Sequence, residues 1–209
     1  MNISFYIDKF KLARYNFFKW RFELELVHKL LLAILFACIT GLLAQLRVYV
    51  PNSPVPITGQ VFGVFLTGVL LGKWGGVSQG IYTGFGLMGM PWFAGFNSGF
   101  SYIFGPTGGY LIGFILAAFF IGYFTDKYIK SRGFFSMFAL MIFATFILIY
   151  IPGIIVLYFW MGMSIGILQL LMIGVIPYIA VDIIKAIITA SIAKGITPKK
   201  SYAKEIDLI

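Results

Sequence analysis

The chain has 209 residues, of which 60% are apolar and only 11% charged, with a net charge of +9 and a mean hydropathy of +0.95. This composition excludes the soluble globular class and describes one integral membrane domain, in which the surplus of Lys and Arg reads as a skirt against anionic lipid rather than a nucleic-acid surface. A single cysteine, Cys38, excludes an intrachain disulfide and a cysteine-based metal site, and a single histidine, His28, removes most metal and proton-relay chemistry, so no metal or cofactor is expected.

Residues 1–29 alternate charge with aromatics such as Phe5, Phe10, Phe17 and Trp20, without the compact apolar core of a cleavable signal peptide. They read as a cytoplasmic amphipathic arm that lies on the membrane surface or reaches for a partner. The first span is predicted over residues 30–46. Ala33, Ala37 and Gly41 recur along it every four residues, a stripe that lets another helix approach closely, either inside the bundle or from another subunit.

Residues 47–58 hold Pro51, Pro54 and Pro56 and are predicted as a stiff extended loop. A second span over 57–72, a tight turn at 72–76 and a third span over 77–88 follow. Residues 90–110 are too polar and too rich in glycine to span, and too long for a simple turn, which marks a functional loop. The fourth span is predicted over 109–124, closed by the charged segment 126–132. The fifth covers 134–159, with a kink at Pro152-Gly153. Residues 162–176 read as a loop with a short apolar helix. Pro177 then suits the first turn of a sixth span that ends near Lys194, completing a substrate-binding membrane domain over 30–194 ahead of a polar tail at 195–209.

Six spans put both termini on one side. Of the 16 Lys and Arg residues, all but Arg47 and Lys185 fall on that side. The positive-inside rule therefore predicts a multi-pass cell-membrane protein with both termini in the cytoplasm. The proline loop, the glycine–aromatic loop and the start of the sixth span then face outward together. Asp182 and Lys185 are the only charges between Arg132 and Lys194, and at a spacing of three they share one helix face. An ionised group at bilayer depth costs about 2.5–3.5 kcal/mol, so these two must pair or face a cavity. The pattern alone allows a structural staple or the polar floor of an outward pocket.

Other chemistries fit poorly. Gly68-Val69-Leu70-Leu71-Gly72-Lys73-Trp74 is one residue short of a phosphate loop and has Trp where Ser or Thr is required. Ser98 in Gly95-Phe96-Asn97-Ser98-Gly99 has no general base in reach for intramembrane proteolysis, because His28 belongs to the opposite edge. Gly105-Pro106-Thr107-Gly108-Gly109 offers backbone N–H groups to an anion or carbonyl, or else marks close helix packing.

Pro54-Val55-Pro56-Ile57-Thr58-Gly59-Gln60, the segment around Pro91, Gly105-Pro106-Thr107-Gly108-Gly109-Tyr110 and Asp182-Ile183-Ile184-Lys185-Ala186 together resemble the biotin-specific S component of energy-coupling-factor (ECF) transporters, the BioY family. The resemblance implies an all-α membrane bundle of six transmembrane helices and a substrate-binding role in biotin uptake. It also implies assembly with a transmembrane coupling subunit and two ATP-binding subunits, and no enzymatic activity in this chain. It casts Ala33, Ala37 and Gly41 as a docking stripe for the coupling subunit. It casts Asp182 and Lys185 as the ligand-binding pair and Asn97 as the loop asparagine. Trp92, Phe93 and neighbouring aromatics are then expected around the ligand's apolar body, with Tyr110 and Gly108 of the glycine loop also among the substrate-binding residues. Lys185, Arg47 and the N–H groups of the glycine loop are the candidates to meet the carboxylate. An S component for another vitamin and a membrane-embedded enzyme are the competing expectations; the scarcity of titratable residues in the spans opposes the enzyme.

Overall fold

The structure, a computed structural model, describes residues 3–206; residues 1, 2 and 207–209, the ends of the expected arm and tail, lie outside the described residues. Helix α1 (Ile3–Glu23) precedes α2 (Leu26–Ala44), and a two-residue ribbon of β1 (Arg47–Val48) and β2 (Ile57–Thr58) leads into α3 (Gln60–Leu71) and α4 (Trp74–Leu87). Short α5 (Phe100–Ile103) interrupts the long loop before α6 (Gly108–Lys127). Helices α7 (Phe134–Phe143) and α8 (Tyr150–Trp160) join through a π-helical segment, Ala144–Ile149, into one continuous rod. Short α9 (Ile167–Gly174) is followed by α10 (Ile176–Ile196), with Pro177 in its first turn as expected.

Four of these are long and apolar enough to cross a membrane: Leu26–Ala44, Gly108–Lys127, Phe134–Trp160 and Ile176–Ile196. With the shorter α3 and α4 they form an all-α bundle whose middle is α6, packed on α3, α4, α8 and the π segment. Small residues permit this. A Cβ on Gly113 would lie 2.5 Å from the Leu148 carbonyl, and one on Gly68 2.8 Å from the Ala118 carbonyl, so only glycine allows the backbones to meet.

Several boundaries differ from expectation for local reasons. The Gly59 N–H bonds to the carbonyls of Leu43 (3.1 Å) and Leu46 (2.9 Å), which ties the proline loop to the end of α2. Ile57 and Thr58 are thereby spent on the antiparallel ribbon (Arg47↔Thr58, Val48↔Ile57), and α3, at the place of the expected second span, begins at Gln60. The helix distortion falls upstream of the predicted Pro152-Gly153 kink. Pro152 lacks an N–H and its ring crowds the carbonyl one turn back, and the chain responds with the π segment just before it.

The residues of the expected docking stripe pack within this chain. Ala33 and Ala37 are 0% exposed. Ser78 on α4 donates to the Ala33 carbonyl at 2.7 Å, and a Cβ on Gly41 would lie 2.9 Å from the Trp92 Cβ. Ala33 thus meets α4 and Gly41 meets Trp92, while Leu31, Ile34, Leu35 and Leu42 are exposed on α2.

At the end of the bundle away from the ribbon, the tail is folded rather than free. Arg132 is fully buried, paired with Glu205 at 2.5 Å, bonded to the Thr125 and Pro198 carbonyls, and stacked 4.2 Å from the Tyr202 ring. Helix α1 docks there through Phe18 and Arg21, while Phe5, Phe10, Phe17 and Trp20 stay exposed.

Candidate functional site

Three segments close over the opposite end. Ser53 in the proline loop donates to the Ile173 carbonyl (2.7 Å), Tyr178 at the head of α10 donates to the Val55 carbonyl (2.6 Å), and Tyr110 on α6 donates to the Gly174 carbonyl (2.6 Å). Tyr110 lies flat because Gly153 has no side chain; a Cβ there would be 2.5 Å from the ring. Beneath this cover, α3, α6, the π segment and α10 enclose an inner cavity.

Asp182 is the anionic group of its wall, 4% exposed. Lys185 donates to its Oδ1 at 2.7 Å and the Tyr150 hydroxyl to its Oδ2 at 2.8 Å. The helical spacing of three makes the first contact, and the π segment presents Tyr150 for the second. Opposite, Thr58 donates to Gln60 Oε1 (2.8 Å), and Gln60 donates to the Tyr82 hydroxyl (2.8 Å), so that network is fixed as well. Ile57, Val61, Leu111, Phe114 and Ile149 supply the apolar wall. The space among these groups is about 50 Å³, below the roughly 300 Å³ at which drug-sized ligand pockets begin. A bicyclic ligand therefore requires the lining to part, and of the ion pair Lys185 is the less enclosed member, its side chain 14% exposed against 5% for Asp182.

The groups retain capacity. A carboxylate has about four acceptor positions and an ammonium three donors. Asp182 has one partner on each oxygen and Lys185 one acceptor, so the pair can still receive N–H groups and donate to a carbonyl.

The expected site residues do not all gather here. Asp182, Lys185 and Tyr110 line the inner cavity. Asn97, whose Nδ2 donates to the Ala94 carbonyl at 2.7 Å, lines an outer recess of about 390 Å³ with Tyr49, Ser98 and Trp160. Tyr102, Thr107 and Pro56 line both spaces. Arg47 does not line the recess but stands beside its residue Tyr49, the guanidinium 5.5 Å from that ring centre and packed on Gly95. Trp92 and Phe93 stand one layer behind: Trp92 donates to the Tyr82 carbonyl at 2.8 Å, and Phe93 stacks on Tyr102 at 4.7 Å. Gly108 makes room for the Ile103 carbonyl where α5 turns into α6. Sequence reasoning missed Thr58, Gln60, Tyr102, Thr107, Tyr150 and Tyr178. Three of them, Thr58, Gln60 and Thr107, are in the quoted motifs, but only the fold aims Tyr150 at Asp182.

Comparison with known proteins agrees with this architecture. The profile described as "BioY family" matches residues 13–201. The "Probable biotin transporter BioY" of Methanothermobacter thermautotrophicus is 47% identical over 148 residues, 68% of this chain and 94% of that protein. The "Biotin transporter BioY" of Thermotoga maritima is 39% identical over 145 residues, 69% of this chain and 82% of that protein. Among solved structures, "the S-component for biotin from an ECF-type ABC transporter" superposes with a TM-score of 0.72 at 31% identity, covering 80% of this chain and 89% of that one. On the extent of these matches, the chain belongs to the BioY family.

Proposed function

We propose that the chain binds biotin in the inner cavity and is the substrate-capturing subunit of a biotin uptake system. The observation that carries this reading is the Asp182–Lys185–Tyr150 cluster: a buried, hydrogen-bonded polar triad with unused acceptor and donor capacity, set in an apolar wall. Biotin's ureido group brings two N–H donors and a carbonyl to that triad, its thiophane ring and valeryl chain meet Leu111 and Phe114, and its carboxylate lies in the outer recess near Arg47 and Asn97. The triad is held at depth by α10, so the ligand enters from the side of the ribbon. Loosening of the Ser53 and Tyr178 hydrogen bonds to the loops admits it.

In this reading six helices cross the membrane, both termini are cytoplasmic, and Lys73, Lys127, Lys130 and the tail lysines meet the inner leaflet. Energy for release comes from partners, a transmembrane coupling subunit and two ATP-binding subunits. The chain itself is a transporter component and not an enzyme, in keeping with its family. The test is uptake. Cells that require biotin and lack their own uptake system are supplied with this chain together with the coupling and ATP-binding subunits. Growth on traces of biotin is expected, and growth no better than with the partner subunits alone would reject the assignment.

A further inference from the structure

We propose that a second cavity, at the far end of the bundle from the biotin site, binds the phosphate of an anionic membrane lipid. The cavity, about 320 Å³, lies between α1, the start of α2, the α3–α4 turn and the end of α6. Arg21, Lys29, Lys73 and Asp126 contribute its charged groups, and Leu32 and Trp74 part of its apolar wall.

The charges do not balance. Arg21 is 3% exposed and spends its terminal nitrogens on Asp126 (2.6 and 3.3 Å) and the Tyr202 hydroxyl (3.1 Å). Its Nε is buried with no hydrogen-bond partner among the described residues. Burial alone would lower the Arg21 pKa, but Asp126 and Tyr202 outweigh it and raise the guanidinium above its usual value. Lys29 and Lys73 have no ion-pair partner among the described residues. Three cations thus face one carboxylate.

A buried N–H without a partner is destabilising, and a phosphate oxygen is an acceptor that also offsets the surplus charge. Basic pockets between membrane helices are suited to phosphate head groups. On the two helices that carry the lining residues Leu32 and Trp74, the apolar side chains of Leu31, Leu35 and Val77 are exposed. A lipid can therefore seat its phosphate on Arg21, Lys29 and Lys73 and lay an acyl chain along α2 and α4. Trp74, half-buried at this level, has the amphipathic ring favoured where head groups meet hydrocarbon.

The experiment uses the full chain. Native mass spectrometry from micelles holding equal phosphatidylglycerol and phosphatidylcholine reads which lipid is retained. Thermal unfolding with added inorganic phosphate, in lipid-free detergent, reads a soluble source. Retention of phosphatidylglycerol about thirtyfold over phosphatidylcholine is expected, from a roughly fivefold electrostatic gain at each of the two lysines. The Lys29→Gln, Lys73→Gln double variant, which leaves buried Arg21 in place, is expected to lose that preference. Stabilisation by inorganic phosphate, abolished in the double variant, would support the phosphate chemistry with a soluble source. Equal retention of both lipids with no effect of phosphate, or a preference unchanged in the double variant, would overturn the proposal.

Discussion

Replacing Asp182 separates a ligand-binding triad from a structural staple. Asp182 now receives two hydrogen bonds, from Lys185 at 2.7 Å and Tyr150 at 2.8 Å, one on each oxygen. In Asp182→Asn one oxygen remains to accept, so one donor loses its partner and the Lys185 charge loses its counter-ion. A hydrogen bond involving a charged group is worth about 1.5–3 kcal/mol, which converts to a loss of roughly 10- to 150-fold in biotin affinity. Breaking a buried pair costs about 3–5 kcal/mol of stability when the stranded charge is fully enclosed. Lys185 retains 14% exposure, so the cost falls below that range. The decisive variant is Asp182→Leu with Lys185→Met, which removes both charges and strands neither. Isothermal titration with biotin, beside thermal unfolding in the same detergent, is expected to show a folded protein that no longer binds. A folded double variant with unimpaired affinity would refute the reasoning and leave the pair a staple.

Tyr150→Phe should weaken biotin binding by less than Asp182→Asn, because Lys185 still neutralises the carboxylate; an equal or larger loss in titration would show that Tyr150 touches the ligand itself. Ala37→Leu should destabilise the isolated chain by about 1–3 kcal/mol, since the position is 0% exposed and overpacked by any larger side chain; an unchanged melting temperature would mean that α2 has room the packing denies. At Glu205, burial alone would raise the pKa, but hydrogen bonds from Ser201, Arg132 and the Tyr202 N–H hold it at about 2 against an ordinary 4.5. Its folded pKa is depressed, so its contribution is full above about 4.5 and fades as pH falls towards 2. Amide protection factors in the tail, corrected for intrinsic exchange, should fall over that window and lose this pH dependence in Glu205→Gln. Cysteines placed singly at Ser53 and Ser98 in a Cys38→Ser background should both label from outside intact cells; labels on opposite sides would break the single outward face.

The helices were legible because their apolar runs are long and their breaks are written in glycine, proline and charge. Asp182 and Lys185 were legible because two charges in an apolar stretch must be explained locally. Tyr150 was not, because one tyrosine among 12 carries no signal until the π segment turns it towards α10. The small-residue stripe was ambiguous in principle: close approach looks the same in sequence whether the neighbour is α4 or another subunit. The folded tail was hidden for a related reason. Arg132 and Glu205 lie 73 residues apart, and nothing local distinguishes them from solvated charges.

The claim that the inner cavity reads the ureido group is tested most directly by equilibrium dialysis of labelled biotin against the purified chain alone in nanodiscs. The account predicts saturable binding of one biotin per chain, competed strongly by desthiobiotin, which keeps the ureido group, and poorly by octanoate, which offers only a chain and a carboxylate. Absence of saturable binding, or octanoate competing as well as desthiobiotin, would contradict it.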